Sequence, residues 1–194
     1  MGTRNEGREA RMSAVRQAAW ALFAGQGYES TTVRQIAVKA GVSTGTVMSL
    51  GDKATLLLGL FEAAIAEHMS PSRHEDDSAA EAVWRCYEPY FDFYASHPEL
   101  SRAYGRVLLS PAGRNHPALG AQAQEFNALV ARKIAAGYPQ ASESAAGLTA
   151  ESLFASYIHA LVIWASETTS LDQARSSFRR QITWQLARFE EPHF

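Results

Sequence analysis

Residues 31–49 read TTVRQIAVKAGVSTGTVMS, and this pattern predicts a short helix followed by a tight turn. Thr32 can cap the helix, and Gln35, three positions later, can return a hydrogen bond to the cap as in a capping box. Apolar residues at helical spacing form the predicted buried side: Val33, Ile36, Ala37 and Ala40. Gly41 follows where a helix commonly ends in the left-handed conformation. The helix is therefore expected to stop at Ala40.

A second short helix is predicted directly after this turn. Ser43 can cap it, because its side chain can accept hydrogen bonds from the free amides of the next turn. The helix runs from Thr44 to about Ser49, keeps Val47 for the interior and exposes short polar side chains. Such a face is small enough to enter a DNA major groove. The two helices together predict a helix-turn-helix.

The segment from about Met12 to Ile65 resembles the DNA-binding domain of the TetR family of bacterial repressors. The matching pieces are a first helix ending in ALFAGQGYESTTV, the core TVRQIAVKAGVSTGTV, and GDKATLLLGLFE at the start of a fourth helix. The resemblance implies an all-α protein of about nine helices, with a three-helix helix-turn-helix head and a carboxy-terminal helical bundle. We assign residues 1–56 to the DNA-binding domain and residues 57–194 to a ligand-binding and dimerisation domain.

The resemblance also assigns DNA-binding roles to residues of the head. Base edges or the adjacent backbone are expected to be met by Arg34, Thr44, Gly45 and Thr46. Phosphates are expected to be met by Thr32, Ser49 and Lys53. Ser43 borders the same face, where capping and DNA contact are both open to it. Arg34 is the best single candidate for a guanine contact, because a guanidinium can pair with both acceptors of that base.

The chain departs from the family pattern after the second helix. Family members continue with a Tyr and then a Phe before the loop, whereas this chain reads MSLGDK at residues 48–53 and is one residue shorter. The resemblance implies that the missing Tyr would have contacted a phosphate. We expect Leu50 to take the core position of the Phe and Asp52 to cap the fourth helix. The alternative is a TetR-fold helical binding or adaptor protein with weakened or altered DNA recognition.

The distribution of charge agrees with a DNA-binding head. The chain of 194 residues has a net charge of −2. Residues 1–56 hold seven Lys or Arg against four Asp or Glu, whereas residues 57–194 hold eleven against sixteen. A positive head suits a protein that gains affinity from phosphates, although an asymmetry of a few charges also arises by chance.

The composition argues against several other classes of protein. Cys86 is the single cysteine, which excludes an internal disulfide framework and a cysteine-based zinc cluster. The histidines show no metal-ligand spacing, and no nucleophile with a neighbouring base, acid pair or phosphate-binding glycine loop can be recognised. We therefore expect no metal, no cofactor and no enzymatic activity. No stretch has the unbroken apolar length of a membrane span, and no secretory signal is recognisable, so a cytoplasmic location is expected.

The second domain is expected to hold five more helices and a small-molecule site. The first helix of the chain is expected at about Arg8 to Ala24, and a polar loop at residues 70–78 is expected to precede the second domain. The predicted helices of that domain are Ala79 to Ala95, Pro98 to Leu109, Pro117 to Ala136, Ala146 to Glu167 and Leu171 to Glu190, with a break at residues 110–113. The residues proposed to line the site are Trp84, Tyr87, Phe91, Tyr94, Phe126, Tyr157, His159 and Leu161. Most of these are expected to be plain core, since an aromatic stripe at helical spacing is more often packing than a pocket. A cavity among them would be apolar and would suit a hydrophobic or aromatic effector.

The final two predicted helices are expected to form a homodimer interface, because two pairs of helices can pack as a four-helix bundle. Trp184 lies off the apolar strip of the last helix, where it could anchor a partner or simply be half-buried. The leading interpretation is a dimeric, ligand-responsive regulator, most simply a repressor, that binds a palindromic operator in double-stranded DNA and is released by its effector.

Overall fold

The structure is a computed structural model and describes residues 2–68, 78–114 and 116–190. These residues form ten α-helices and no strand. The helices are α1 (Gly2–Gln26), α2 (Val33–Ala40), α3 (Thr44–Met48), α4 (Lys53–His68), α5 (Ala79–Ser96), α6 (Pro98–Leu108), α7 (Pro111–Arg114), α8 (Pro117–Gly137), α9 (Glu143–Ala165) and α10 (Leu171–Ala187). The predicted all-α class is confirmed.

Two helix predictions need correction. The count of about nine is one short, because residues 110–113, predicted as a break, contain the single-turn helix α7. Pro111 begins this turn instead of ending a helix, since the first helical position needs no amide hydrogen, and the Arg114 amide bonds to the Ser110 carbonyl at 3.1 Å. The first helix also begins at Gly2, earlier than the predicted Arg8. The predicted loop at 70–78 lies outside the described residues, except for Ser78.

Packing divides the chain into two compact units. Unit 1 comprises Met1–Ala66 and His97–His116, so that α6 and α7 belong with the helix-turn-helix. In its core, the ring of Phe61 on α4 stacks on that of Tyr104 on α6, with 4.1 Å between centroids. Trp20 of α1 meets His97 edge-on at 5.1 Å. This division by packing is not the predicted functional division at residues 56/57, which stays a prediction.

Unit 2 comprises Glu67–Ser96 and Pro117–Phe194. Helix α9 packs against α8 and α10, and α5 packs against the same two helices, which gives a four-helix arrangement. The apolar strip of the last helix is buried: Phe178, Ile182 and Leu186 lie on α10, and Phe189 follows it. Arg175 of α10 pairs with Glu88 at 3.0 Å and with Asp92 at 2.8 Å, so ion pairs join α10 to α5 outside this apolar core.

Helix α9 corrects the expectation about membrane-length segments. Among the described helices it is the one that has the length and composition of a membrane span. Its Leu153, Tyr157 and Trp164 are each buried. Because α8 and α10 pack on this helix, the face that carries these residues belongs to the core of unit 2.

Candidate functional site

The turn of the helix-turn-helix has the predicted chemistry. Thr32 caps α2: its hydroxyl accepts a hydrogen bond from the Gln35 amide at 3.3 Å, and the Gln35 side-chain oxygen accepts one from the Thr32 amide at 2.8 Å. Gly41 ends the helix with φ 66° and ψ 31°, in the left-handed region. The next amide, that of Val42, bonds back to the Ala37 carbonyl at 3.0 Å. This closed turn fixes the direction in which α3 leaves α2.

Helix α3 is held at its start by Ser43 and underneath by Val47. The Ser43 hydroxyl accepts a hydrogen bond from the Thr46 amide at 3.1 Å and shares another with the Thr46 hydroxyl at 2.9 Å. Val47 is fully buried. The capping role of Ser43 is therefore confirmed, and the Thr46 hydroxyl is tied to that cap. Thr44 and Gly45 stay exposed on the outer face of α3.

The predicted DNA-contacting residues all lie on the surface of unit 1. The exposed ones are Thr32, Arg34, Ser43, Thr44, Gly45 and Ser49, and the half-buried ones are Thr46 and Lys53. Arg34 lies in the first turn of α2 and forms no ion pair with any residue that the structure describes. Its guanidinium is consequently available to a ligand without the loss of an internal partner.

Lys53 has a structural role that the sequence did not predict. Its ammonium donates to the carbonyl oxygens of Tyr28 at 3.0 Å and Glu29 at 3.3 Å, and it lies 4.2 Å from the centre of the Tyr28 ring. Burial, with the charges of Glu29 and Asp52, raises the pKa of Tyr28 to about 12. An ammonium has three donors, so Lys53 has one more than the two that hold the loop before α2, and the Glu29 carboxylate lies 4.0 Å from this ammonium. Its predicted phosphate contact stays a prediction.

The shortened loop after α3 is closed by Gly51. This glycine has φ 123°, and a Cβ placed on it would lie 2.6 Å from the Cβ of Thr55. Asp52 then caps α4 as predicted, because its carboxylate accepts from the Thr55 amide and hydroxyl, both at 2.8 Å. These hydrogen bonds lower the pKa of Asp52. Leu50 is half-buried, so the prediction that it replaces a core Phe is only partly met.

An open cleft of about 520 Å³ lies in unit 1 beside α3. Its lining combines four predicted DNA-binding residues with residues of α1: Arg8, Arg11, Met12, Ser43, Gly45, Thr46, Ser49 and Leu50. Thr32 and Arg34 do not line it. Sequence reasoning missed Arg8 and Arg11, although their spacing of three residues places both on one face of a helix.

The aromatic residues predicted in the second domain do come together in unit 2. Around the buried Tyr87 ring lie those of Phe178 at 4.7 Å, Phe126 at 4.9 Å and Tyr157 at 5.4 Å between centroids. The Tyr157 hydroxyl hydrogen-bonds that of Tyr94. The predicted site residues that are buried are Trp84, Tyr87, Phe91, Tyr94, Tyr157 and Leu161, and Phe126 is half-buried. We call this group the aromatic cluster.

His159 does not join the aromatic cluster. It is exposed, although its neighbour two positions earlier, Tyr157, is 4% exposed. Two residues correspond to about 200° of rotation around an α-helix, so the two side chains leave α9 on opposite sides. The apolar sequence around His159 suggested a buried position, but α9 is apolar on more than its core face. The proposed ligand contact of His159 has no support from this arrangement.

Two polar atoms in the aromatic cluster have no hydrogen-bond partner among the residues that the structure describes. These are the Tyr87 hydroxyl and the Trp84 indole nitrogen, both in buried side chains. Burial also raises the pKa of Tyr87, which keeps its phenol neutral and able to donate. An unpaired buried donor costs about 1–3 kcal/mol, so an acceptor that reaches it would bind favourably.

Cys86 offers no nucleophile beside the cluster, because burial raises the pKa of its thiol to about 11. Within the described part of the chain, no group of three or more His, Cys, Asp or Glu residues is placed to hold a metal ion.

The helix-turn-helix segment matches the model of a known protein family. Residues 15–49 match the model of the bacterial regulatory proteins of the tetR family. The helix-turn-helix of this chain is therefore similar to that of the TetR family. The match covers the part of α1 from Val15 onward, all of α2 and α3, and the turn closed by Gly41. No curated protein matches the chain.

Solved structures share the fold of almost the whole chain. Thermus thermophilus FadR, a TetR-family transcriptional repressor in complex with lauroyl-CoA, has a TM-score of 0.66 at 20% identity, over 88% of this chain and 92% of that one. A TetR variant from Acinetobacter baumannii in complex with minocycline has a TM-score of 0.62 at 19% identity, over 92% and 95%. A TetR-like regulator from Rhodococcus sp. has 0.58 at 18%, over 91% and 96%. The chain thus has the fold of TetR-family regulators.

Proposed function

We propose that this protein is a homodimeric transcription regulator, most simply a repressor, that binds a palindromic operator and is released by a hydrophobic or aromatic effector. The observation that carries the proposal is the exposed outer face of α3, with Thr44 and Gly45, on a head whose helix-turn-helix is similar to that of the TetR family. In helix-turn-helix proteins the second helix of the motif enters the major groove. A DNA-binding protein of this kind works in the cytoplasm.

Arg34 is the proposed source of base specificity. It is exposed in the first turn of α2 and has no internal ion pair in the described residues, so it can pair with a guanine without losing another contact. A bidentate arginine–guanine contact is worth about 1–3 kcal/mol of discrimination against other bases. Thr44, Gly45 and Thr46 are proposed to meet neighbouring bases or backbone, and Thr32, Ser49 and Lys53 to meet phosphates.

Dimerisation is supported by the surface of unit 2. Trp184 on α10 is 79% exposed in the single chain, whereas Phe178, Ile182 and Leu186 of the same helix are buried. Burying a tryptophan removes about 150–250 Å² of surface from water, and tryptophans are common anchors of interfaces. Two copies joined through α9 and α10 would present two heads to successive major grooves, about 34–36 Å apart.

The effector class is inferred from the aromatic cluster. Its rings pack around Tyr87 and would have to separate to admit a flat or greasy molecule. The Tyr87 hydroxyl would then donate to an acceptor such as a carbonyl on that molecule. Two proteins of the same fold support this class of ligand: FadR is in complex with lauroyl-CoA, and the TetR variant is in complex with minocycline. An effector releases the operator if it binds better to the conformation in which the heads are wrongly spaced.

The test begins with selection of fragments of the source genome that the wild-type protein retains, followed by affinity measurements on the recovered site. We expect an inverted repeat and a loss of affinity of about tenfold to a hundredfold in Arg34→Ala, as one lost base contact implies. Lys39→Ala is the matched control, because Lys39 is an exposed cation in the last turn of the same helix.

The second candidate is the TetR-fold binding or adaptor protein with altered DNA recognition. It is favoured by Met48, which is 55% exposed at the end of α3, where the family pattern has the Tyr. Under this alternative, Arg34→Ala and Lys39→Ala would affect DNA affinity equally and no inverted repeat would be recovered. That result would contradict the proposed operator recognition.

A further inference from the structure

We propose that Arg8 and Arg11 of α1 bind the DNA phosphate backbone at the edge of the major groove that α3 enters. This inference rests on the proposed DNA-binding function and extends the contact surface beyond the helix-turn-helix motif. Its basis is the cleft beside α3, where both arginines face the same space as Ser43, Gly45, Thr46 and Ser49. Neither arginine falls within residues 15–49, the part that matches the family model.

The dimensions of a helix and a groove place phosphates next to this cleft. An α-helix with its side chains is about 10–12 Å across, and the major groove is about 12 Å wide. A helix that reads base edges therefore nearly fills the groove, and the surface immediately beside it meets one of the sugar–phosphate walls. The cleft is immediately beside α3, because its lining includes four positions of the α3 region together with α1.

The chemistry of the lining suits an anion. Two arginines and the polar residues Ser43, Thr46 and Ser49 line the cleft, and no Asp or Glu does. Arg8 and Arg11 are exposed and form no ion pair or hydrogen bond with other side chains in the described part of the chain. Guanidinium groups bind phosphate oxygens bidentately, and such charge-assisted hydrogen bonds are about twice as strong as neutral ones.

The position of the arginines on a rigid helix strengthens this assignment. Helix α1 runs from Gly2 to Gln26, and its Val15 and Ala19 are fully buried in the core of unit 1. Arg8 and Arg11 therefore project from the outer end of a helix anchored in the head. Since α2 packs on α1 and on α3, the relation between the arginines and α3 is fixed within the same unit. A fixed pair of cations would position the head on the duplex without reading sequence.

The experiment measures the salt dependence of operator binding by the full chain. In double-stranded DNA, log Kd changes with log salt concentration by about 0.9 for each phosphate contact. Arg8→Ala/Arg11→Ala should therefore reduce the slope by about 1.8 for each bound head. Affinity should fall by the same factor on operator and on random duplex, because phosphate contacts carry no sequence information.

Two further variants separate charge from structure. Arg8→Lys/Arg11→Lys should keep most of the salt slope, because the charges remain. Arg132→Ala removes one exposed cation from α8 in unit 2 and should leave the slope unchanged. Thermal unfolding at one protein concentration verifies that the alanine variant is folded, since both side chains are exposed.

These measurements distinguish a failure of this inference from a failure of the proposed DNA-binding function. If the wild type selects an operator but Arg8→Ala/Arg11→Ala keeps the wild-type slope, the inference is wrong and the proposed function stands. If the double variant instead loses preference for A·T or G·C pairs flanking the operator, the arginines read a minor groove, and the backbone assignment is overturned. If the wild type binds no duplex specifically, the proposed function itself fails.

Discussion

Replacing each of three glycines of unit 1 by alanine tests the geometry of the helix-turn-helix and of the shortened loop after it. Gly41 has φ 66° with open space around its missing Cβ, and Gly51 has φ 123° with Thr55 only 2.6 Å from that position. Gly59 lies within α4, has no neighbouring atom within 4 Å of the place that a Cβ would take, and shows no positive φ. Replacing each by Ala adds the same methyl group to three different backbones.

The expected order follows from these environments. In Gly41→Ala, a Cβ in the left-handed region destabilises the folded state by about 1–2 kcal/mol. Alanine also restricts the unfolded chain, which offsets about 0.4–1 kcal/mol of this. The free energy of unfolding should therefore fall by about 1 kcal/mol. Gly51→Ala adds a steric collision to backbone strain and should cost at least about 2 kcal/mol. Gly59→Ala should stabilise the protein by about 0.5–1 kcal/mol, because alanine favours a helix over glycine.

The assay is urea or thermal unfolding followed by helical circular dichroism, at one protein concentration, because association would shift the transition. For a chain of this length, 1 kcal/mol moves the Tm by about 2–4 °C. A Gly51→Ala variant as stable as the wild type would show that the loop between α3 and α4 is not closed as described. A Gly41→Ala variant more stable than Gly59→Ala would refute the left-handed end of α2.

Three further outcomes are expected. Asp52→Ala removes the cap of α4 and should lower the free energy of unfolding by about 1 kcal/mol. Hydrogen bonds lower the pKa of Asp52 in the folded protein below its usual value of 3.8. The stabilisation by Asp52 is therefore complete above pH 3.8 and should disappear as the pH falls through the lower folded pKa, which a pH series of unfolding curves measures. Tyr157→Phe removes the hydrogen bond to Tyr94 and should lower the free energy of unfolding by about 0.5–1.5 kcal/mol, measured by urea unfolding; an unchanged midpoint would contradict that bond. Trp184→Glu should leave the circular dichroism spectrum intact but give a monomer in sedimentation analysis, and a persistent dimer would remove Trp184 from the interface.

Local chemistry made the helix-turn-helix predictable from sequence. The capping box of Thr32 and Gln35, the glycine at the end of α2 and the Ser43 cap each depend on residues within five positions of one another. Such short-range hydrogen bonds are set by side-chain type and spacing, so the pattern of residues 31–49 was sufficient. The buried strip of α10 followed for a similar reason, because one apolar face was clearly separated from its polar faces.

Features that depend on distant parts of the chain were not predictable. The sequence placed α6 with the second domain, but Tyr104 stacks on Phe61 and brings α6 into unit 1. Lys53 looked free for phosphate, yet it holds two carbonyl groups some 25 positions earlier. His159 was proposed to line the ligand site because it lies in an apolar run of α9, but periodicity cannot select the core face of a helix that is apolar around much of its circumference. The position of Arg8 and Arg11 beside α3 follows from the packing of unit 1 and could not be predicted from the sequence.

Methylation interference on the selected operator tests the central claim, which is that the outer face of α3 enters the major groove. The probe methylates guanine N7, an acceptor displayed in that groove. We expect methylation to block binding at two clusters of guanines about 10–10.5 base pairs apart, one for each head of a dimer. Binding that tolerates N7 methylation at every guanine of the operator would contradict the account.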